Sequence, residues 1–390
     1  MSDIIIAGAK RTAIGSMLGQ FTGVSAVTLG STAIKAAVAQ ARVAPDTVSE
    51  VIMGCVLQAN VGQGPGRQAA IAAGLPMSAG CTTINKLCGS GMKAIMLAHD
   101  LIRAGSADIL VAGGMESMTN APHMVYARTG LRYGDAKLLD HMSTDGLNSP
   151  YDGKAMGVFA DATAVKYGFT REDMDKFAIE SVKRAQAAIA SGAFVDEIVP
   201  VKVATRKGDV EYATDEQPGK SDISKISTLK PAFAKDGRVT AASSSSISDG
   251  AAATVVMSAD TAKKQNITPL ARIVGHATHS QEPEWFTLAP VGAIDKLLKK
   301  IGWKVGDIDV FEVNEAFAPV AMAPMKDLGI PHDKLNLNGG ACALGHPIGA
   351  SGARLIVTLI HALKRRGGKR GIAALCIGGG EATAMAIELV

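Results

Sequence analysis

Two stretches of this 390-residue chain are written to one plan. Residues 91–114, GMKAIMLAHDLIRAGSADILVAGG, and residues 352–380, GARLIVTLIHALKRRGGKRGIAALCIGGG, share the same order of parts. Each runs glycine, amphipathic helix, basic glycine-containing turn, apolar strand, glycine cluster. Helix–strand units are common in α/β proteins, but here the glycine clusters recur in phase, which points to duplication. Each such helix must bury its apolar stripe against a sheet. The texture continues outside the repeat. DIIIAG (3–8), EVIMGCVL (50–57), ADILVAGG (107–114) and IDVFEVN (308–314) read as strands, and 24–43, 91–104 and 351–365 as helices. Strands alternating with helices predict a parallel sheet covered on both faces.

Between about 120 and 250 the texture changes. Charge, Pro and Gly increase around one long amphipathic helix at 171–191, so this stretch reads as an insertion lying over something else. Aromatic residues are only 4% of the chain, so the cores must be built from Ala, Val, Ile, Leu and Met. The 40 basic and 36 acidic residues nearly balance, at +4, and no basic arm is present, which argues against nucleic acid. Five cysteines at 55, 81, 88, 342 and 376 show no CxxC spacing, so no metal site and no disulfide framework is predicted. No stretch approaches the roughly 18 apolar residues of a membrane span. The start, MSDIIIAG, lacks the pattern of a signal or transit peptide. The expected location is the cytoplasm.

Four segments carry residues suited to chemistry. In NKLCGSGMKA, Cys88 lies between a strand end and a helix start, where backbone N–H groups and the helix dipole favour a thiolate. Taken alone it reads equally well as a small buried hydrophobe. In GGACALGHPIGASGAR, His346 is held between Gly345 and Pro347 before a helix, as a base or as a structural histidine. In ALCIGGGEA, Cys376 ends a buried strand, and the three following glycines expose N–H groups able to hold an oxyanion. In VNEAFA, Asn314 and Glu315 end an apolar strand, where polar groups bind or orient something, or cap a loop.

Together these segments resemble the thiolase family. The resemblance runs through VIMGCVLQANVGQGPGRQAA, LCGSGMKA, GGMESM, DGAAA, NEAFA, GHPIGASGAR and CIGGG, and so covers essentially the whole chain. It implies a thiolase fold: two similar βαβαβαββ halves in five αβαβα layers, plus a loop domain over the active site. The corresponding ranges are 1–119 with 250–268, 269–390, and 120–249 for the loop domain. The implied activity is acetyl-CoA C-acetyltransferase, joining two acetyl-CoA into acetoacetyl-CoA, by ping-pong kinetics. Carried over residue by residue, Cys88 is the acylated nucleophile, His346 takes its proton, and Cys376 exchanges the proton of the α-carbon. His346 and a water on Asn314 hold the enolate. The N–H groups of Cys88 and Gly378 hold the tetrahedral oxyanion. Ser245, Ala241, Met156, Phe317 and Leu147 fall at CoA-binding positions, and Lys220 is the nearest stand-in for a family arginine near the adenine. CoA is substrate and product, no cofactor or metal is predicted, and the family's short-chain members are mostly homotetramers.

Three departures bear on the acyl pocket. Many relatives carry Gly-Asn where this chain has Ala242–Ser243, and many carry a histidine where it has Ala155. The segment EPEWFTLAPVGA is more similar to the mitochondrial acetoacetyl-CoA type, some members of which bind potassium. A ketoacyl-carrier-protein synthase shares the fold but has a histidine or asparagine where CIGGG supplies a thiol. A non-catalytic acyl-CoA or lipid carrier would have lost one of Cys88, His346 and Cys376. A degradative thiolase of broader chain length is the alternative within the family.

Overall fold

The structure is a computed structural model describing residues 2–390. Nine strands form one continuous sheet: β1 (Ile4–Thr12), β2 (Glu50–Gly54), β3 (Gly80–Ile84), β4 (Ile109–Ser117), β5 (Ser248–Ser258), β6 (Ala271–Ser280), β7 (Val310–Val313), β8 (Arg370–Ile377) and β9 (Glu381–Leu389). Their order is β7-β8-β9-β6-β1-β5-β4-β2-β3, with the short strands Gly15–Ser16 and Ile198–Val199 pairing onto β5 and β1. The helices that matter here are α1 (Ala26–Ala41), α2 (Ser90–Arg103), α3 (Met156–Tyr167), α4 (Arg171–Ala190), α5 (Ala289–Ile301), α6 (Ala318–Leu328) and α7 (Ile348–Arg366).

The duplication is visible in the strand pairing. β4 runs parallel to β2 and antiparallel to β5, and β8 runs parallel to β7 and antiparallel to β9. The two repeated stretches become α2–β4 and α7–β8, in equivalent places of the two halves. The halves join where Ile5 and Ile6 of β1 pair with Arg272 and Ala271 of β6.

The sheet is mixed, which corrects the expectation of a parallel one. The antiparallel members do not follow the strand–helix–strand crossover: β5 is reached only after a long excursion, and β9 by a tight turn. β9 follows β8 across the turn Gly378–Gly380, where Gly379 and Gly380 take φ of 87° and 92°, open to glycine at little cost. Two boundaries also move. The strand expected over 50–57 ends at Gly54, and the one expected over 107–114 begins at Ile109 and runs through both glycines to Ser117. Gly114 must lack a side chain, because any Cβ there would collide with the carbonyl of Gly349 at the start of α7.

Strand alternation sorts side chains into three cores. Ile5 and Ala7 face outward to Leu29, Ala33 and Ile34 of α1, while Ile4 and Ile6 face inward to Met92 and Ile95 of α2 and Leu355 and Ile356 of α7. In the second half Ala373 and Leu375 join that central core, whereas Ile372, Ala374 and Cys376 face Ile294 and Leu297 of α5. The layers are therefore helix, sheet, paired central helices, sheet, helix. After β4 the chain leaves the sheet and, apart from the two-residue strand Ile198–Val199 on β1, does not return until β5. The excursion contains α3 and α4, the latter opened by a Thr170–Asp173 capping box.

Candidate active site

The two central helices touch backbone to backbone at their N-terminal ends. A Cβ on Gly91 would lie 2.7 Å from the Ala353 nitrogen, and one on Gly352 would collide with the Met92 nitrogen. Only glycine at both positions lets the helix starts approach this closely. Cys88 and His346 each lie two residues before their helix, so the crossing brings both segments to one place. The third segment is pressed against the first. A Cβ on Gly89 would strike Ile377, and one on Gly378 would lie 3.2 Å from Leu87 and 3.8 Å from the Met156 sulfur.

Cys88 is half-buried and follows Leu87, whose φ of 48° is a left-handed conformation costly for leucine. Ser90 closes this tight turn. Its hydroxyl donates to the Leu87 carbonyl at 2.7 Å and accepts from the Lys86 N–H at 2.8 Å. Burial pushes the Cys88 thiol up to about 11, against the N–H groups of Gly378 and of Cys88 itself, which pull it down; the charge of Glu116 adds to the rise. The donors expected from the sequence are present, but desolvation outweighs them and the resting group is a thiol.

His346 is the available base, and its hydrogen bonds bear on its tautomer. The Ser351 hydroxyl lies 2.9 Å from the Pro347 carbonyl and 2.5 Å from His346 Nδ1, and when it donates to that carbonyl it accepts from Nδ1. Nδ1 then carries the proton and Nε2 keeps its lone pair. The Asn314 side-chain N–H reaches that Nε2 at 3.5 Å. Burial, then the Arg354 charge nearly two turns along α7, hold the imidazole down to about 3, so it is neutral at rest. Asn314 is fully buried and its Oδ1 has no protein partner, a polar group left for something else to satisfy.

Cys376 is wholly buried at the end of β8, and its thiol is pushed well up, by burial first and by the nearby Cys88 second. Glu116, at the end of β4, ties the site together. Its carboxylate accepts from the N–H groups of Val56 and Leu57, both at 3.1 Å, and of Gly349 at 2.8 Å. It thereby clamps the loop after β2 to the first turn of α7. That is why the strand stops at Gly54: the next residues turn to offer their N–H groups to Glu116. Glu315, beside Asn314, is likewise consumed by structure, accepting from Ser181 of α4 at 2.6 Å and Asn336 at 2.8 Å. Cys342 contacts the Glu315 carbonyl and has no free role.

The other residues expected to bind substrate divide into three groups. Leu147 packs with Leu87, Cys88, Ile247 and Ile348 around the nucleophile. Met156 lies against Gly378, and Ser245 is held by its N–H to the Ala316 carbonyl, next to Phe317. Ala241 is exposed. Lys220 is engaged by Glu216 in an i,i+4 ion pair at 2.5 Å, so its charge is already paired. Phe233 was missed in the sequence. Its ring fills the space over Gly157 and stacks edge-on with Phe317 at 5.8 Å. Ser351 and Glu116 also stood inside recognised motifs, GASGAR and GGMESM, without a role being visible, since their partners lie far away in sequence.

The family description "Thiolase, N-terminal domain" matches residues 4–260, and "Thiolase, C-terminal domain" matches 267–389. The chain belongs to the thiolase family. Among similar proteins, the acetyl-CoA acetyltransferase of Cupriavidus necator is 50% identical over 392 residues, covering 100% of both chains. That of Escherichia coli is 48% identical, covering 100% of this chain and 99% of its own. The crystal structure of the Bacillus anthracis acetyl-CoA acetyltransferase superposes with a TM-score of 0.97 at 40% identity, over 100% of this chain and 99% of the other.

In this thiolase the resting thiol of Cys88 has a measurable consequence. Only the thiolate attacks an alkylating agent, and its fraction grows about tenfold per pH unit below the pKa. Iodoacetamide labelling of Cys88 in the free enzyme is therefore expected to climb steeply from pH 7 to pH 9 with no plateau, since the midpoint lies near 11. A plateau near pH 8 would mean that the N–H donors outweigh burial.

Proposed function

We propose that this thiolase is an acetyl-CoA C-acetyltransferase that condenses two acetyl-CoA into acetoacetyl-CoA and CoA, and catalyses the reverse thiolysis, through an acetyl group on Cys88. The observation that carries the reading is the packing of the Cys88 turn against Ile377 and Gly378, at the crossing of the two helix starts that Cys88 and His346 precede. Near-50% identity to acetyl-CoA acetyltransferases over the full length supports it.

His346 Nε2 takes the Cys88 proton as the sulfur attacks the thioester carbonyl. Because the thiol stands high and the imidazole low, a separated ion pair does not accumulate, and transfer accompanies attack. The N–H groups of Cys88 and Gly378 receive the tetrahedral oxyanion, and loss of one such donor typically costs about 100- to 1000-fold. CoA leaves with the proton returned by His346. In the second half Cys376, having passed its own proton to His346, removes one from the α-carbon of the incoming acetyl-CoA. The protonated His346 and a water on Asn314 hold the enolate. The enolate carbon attacks the acetyl carbonyl, the Cys88–carbon bond breaks, and the departing sulfur regains the proton from His346. Two thiols are needed because one is covalently occupied while the other moves a proton.

Residues 120–249 serve as the loop domain that holds CoA, with Ser245, Met156, Phe317 and Leu147 along its path, between halves at 1–119 with 250–268 and at 269–390. The working form is a cytoplasmic homotetramer of fatty acid metabolism. The exposed Tyr126, Leu131, Tyr133 and Leu138 around a projecting hairpin, and the half-open edge of β3, suit assembly. No helix among the described residues is long and apolar enough to cross a membrane.

Chain length separates this reading from a broader degradative thiolase. The Met156 sulfur beside Gly378 narrows the acyl pocket. Thiolysis of 3-ketoacyl-CoA with four, six, ten and sixteen carbons is expected to fall by ten-fold or more beyond six, at about 1.4 kcal/mol per decade. Comparable rates at ten and sixteen carbons would favour the degradative alternative.

A further inference from the structure

On the face formed by α2 and β6, three polar atoms converge away from the thiols. His99 Nδ1 lies 2.9 Å from Asp100 Oδ1, His276 Nε2 lies 3.0 Å from the same oxygen, and the two nitrogens are 3.3 Å apart. The imidazoles meet edge to face at 4.9 Å between centroids. The imidazole side chains are 12% exposed and the Asp100 side chain 52%, so the cluster is shielded from below and open to solvent on one side.

No arrangement of protons on the two rings satisfies this triangle while Asp100 is ionised. An ionised Asp100 oxygen only accepts, so both nitrogens must donate to it. The two N–H groups then face each other at hydrogen-bond distance. If either nitrogen accepts instead, its lone pair faces the carboxylate. Doubly protonated rings place two positive imidazolium groups against each other. With the carboxylate ionised, one contact in three is therefore unfavourable whichever ring protons are present.

We propose that His99, Asp100 and His276 form a site for a borderline divalent transition ion of the Zn²⁺, Co²⁺ or Ni²⁺ class. A cation at the centre turns all three repelling lone pairs into ligands. Donors about 2.0–2.2 Å from a tetrahedral ion lie roughly 3.3 Å from one another, close to the separations observed. Two imidazoles with a single carboxylate select this class over Mg²⁺ or Ca²⁺, which prefer oxygen donors. The open side leaves a fourth position for water. His99 and Asp100 belong to the first half and His276 to the second, 176 residues after Asp100, so the ion ties the halves together across the surface. The Lys300 amine donates to the His276 carbonyl at 3.1 Å, holding that strand position without competing for the ring.

The test uses the full-length protein stripped of metal, with reactive cysteines blocked by iodoacetamide, titrated with Co²⁺. One equivalent is expected to bind with visible ligand-field bands and no thiolate-to-cobalt charge-transfer band, to be displaced by Zn²⁺, and to raise Tm. His99→Gln and His276→Gln are each expected to weaken binding by more than the roughly 10- to 100-fold that loss of an outer-shell partner costs. Asp100→Asn, at the exposed corner, repeats the test without altering either ring. Unalkylated variants should keep acetyl transfer at the parent rate, since none of the three residues lies near Cys88. Absence of saturable binding, or unchanged affinity in the three variants, overturns the proposal.

Discussion

Cys88→Ala is expected to abolish acetyl transfer, by a factor on the order of 10⁵ or more, while the protein still folds. The side chain is half-buried, at the margin between the central core and the small cluster of Leu147, Ile247 and Ile348. Removing one sulfur there costs stability of the order of 1 kcal/mol. Chemistry suffers far more, because no other group occupies the turn that faces the Gly378 N–H. Acetyl-CoA labelled in the acetyl group should leave no label on precipitated variant protein, where the parent retains about one equivalent per chain. Alanine is the informative choice, since a serine hydroxyl can still accept an acyl group. Retention of label by the alanine variant would place the nucleophile elsewhere.

Cys376→Ser should separate the two halves of the reaction. Acyl-enzyme formation needs Cys88, His346 and the oxyanion donors, all of which remain. The α-proton, however, must be taken by a group whose anion is accessible, and an alcohol anion is far less so than a thiolate. Condensation is therefore expected to fall about 10³- to 10⁴-fold while the acyl-enzyme burst keeps near its full amplitude. Serine nearly matches cysteine in volume, but it adds a hydroxyl at a wholly buried position, at about 1–3 kcal/mol if it finds no partner. Cys376→Ala avoids that cost and should show the same split. Equal loss of both steps in the two variants would mean that Cys376 also serves acylation.

The fold was legible where its signals were local. The in-phase glycine clusters pointed to a duplicated helix–strand unit, and α2–β4 and α7–β8 do occupy equivalent places. The direction of the strands was not legible. β5 is an alanine-rich run reached only after the long excursion, and β9 follows a three-glycine turn, so neither carries the alternation with helices that marks parallel strands. At the site, Cys88, His346 and Cys376 stood out as candidates beside glycine-rich turns, but it was the resemblance to thiolases across the whole chain that gave them their roles. Glu116, Ser351 and Phe233 did not stand out, because what they do depends on partners such as Gly349, the His346 ring and Phe317. The surface triangle of His99, Asp100 and His276 was invisible for the same reason.

Composition and periodicity are nearest-neighbour properties, so they were enough to specify which groups stand at the ends of strands and the starts of helices. Those groups are two thiols, one imidazole and an asparagine, at the places where a parallel strand–helix unit presents its chemistry. Their protonation was beyond such information. Folding alone brings Gly91 against Ala353, sets the Ser351 hydroxyl between the Pro347 carbonyl and the His346 ring, and strips water from Cys88 until its thiol stands near 11 and from His346 until its imidazole stands near 3. Desolvation and hydrogen-bond direction sum over the whole surroundings of an atom, and those surroundings are assembled from residues hundreds of positions apart.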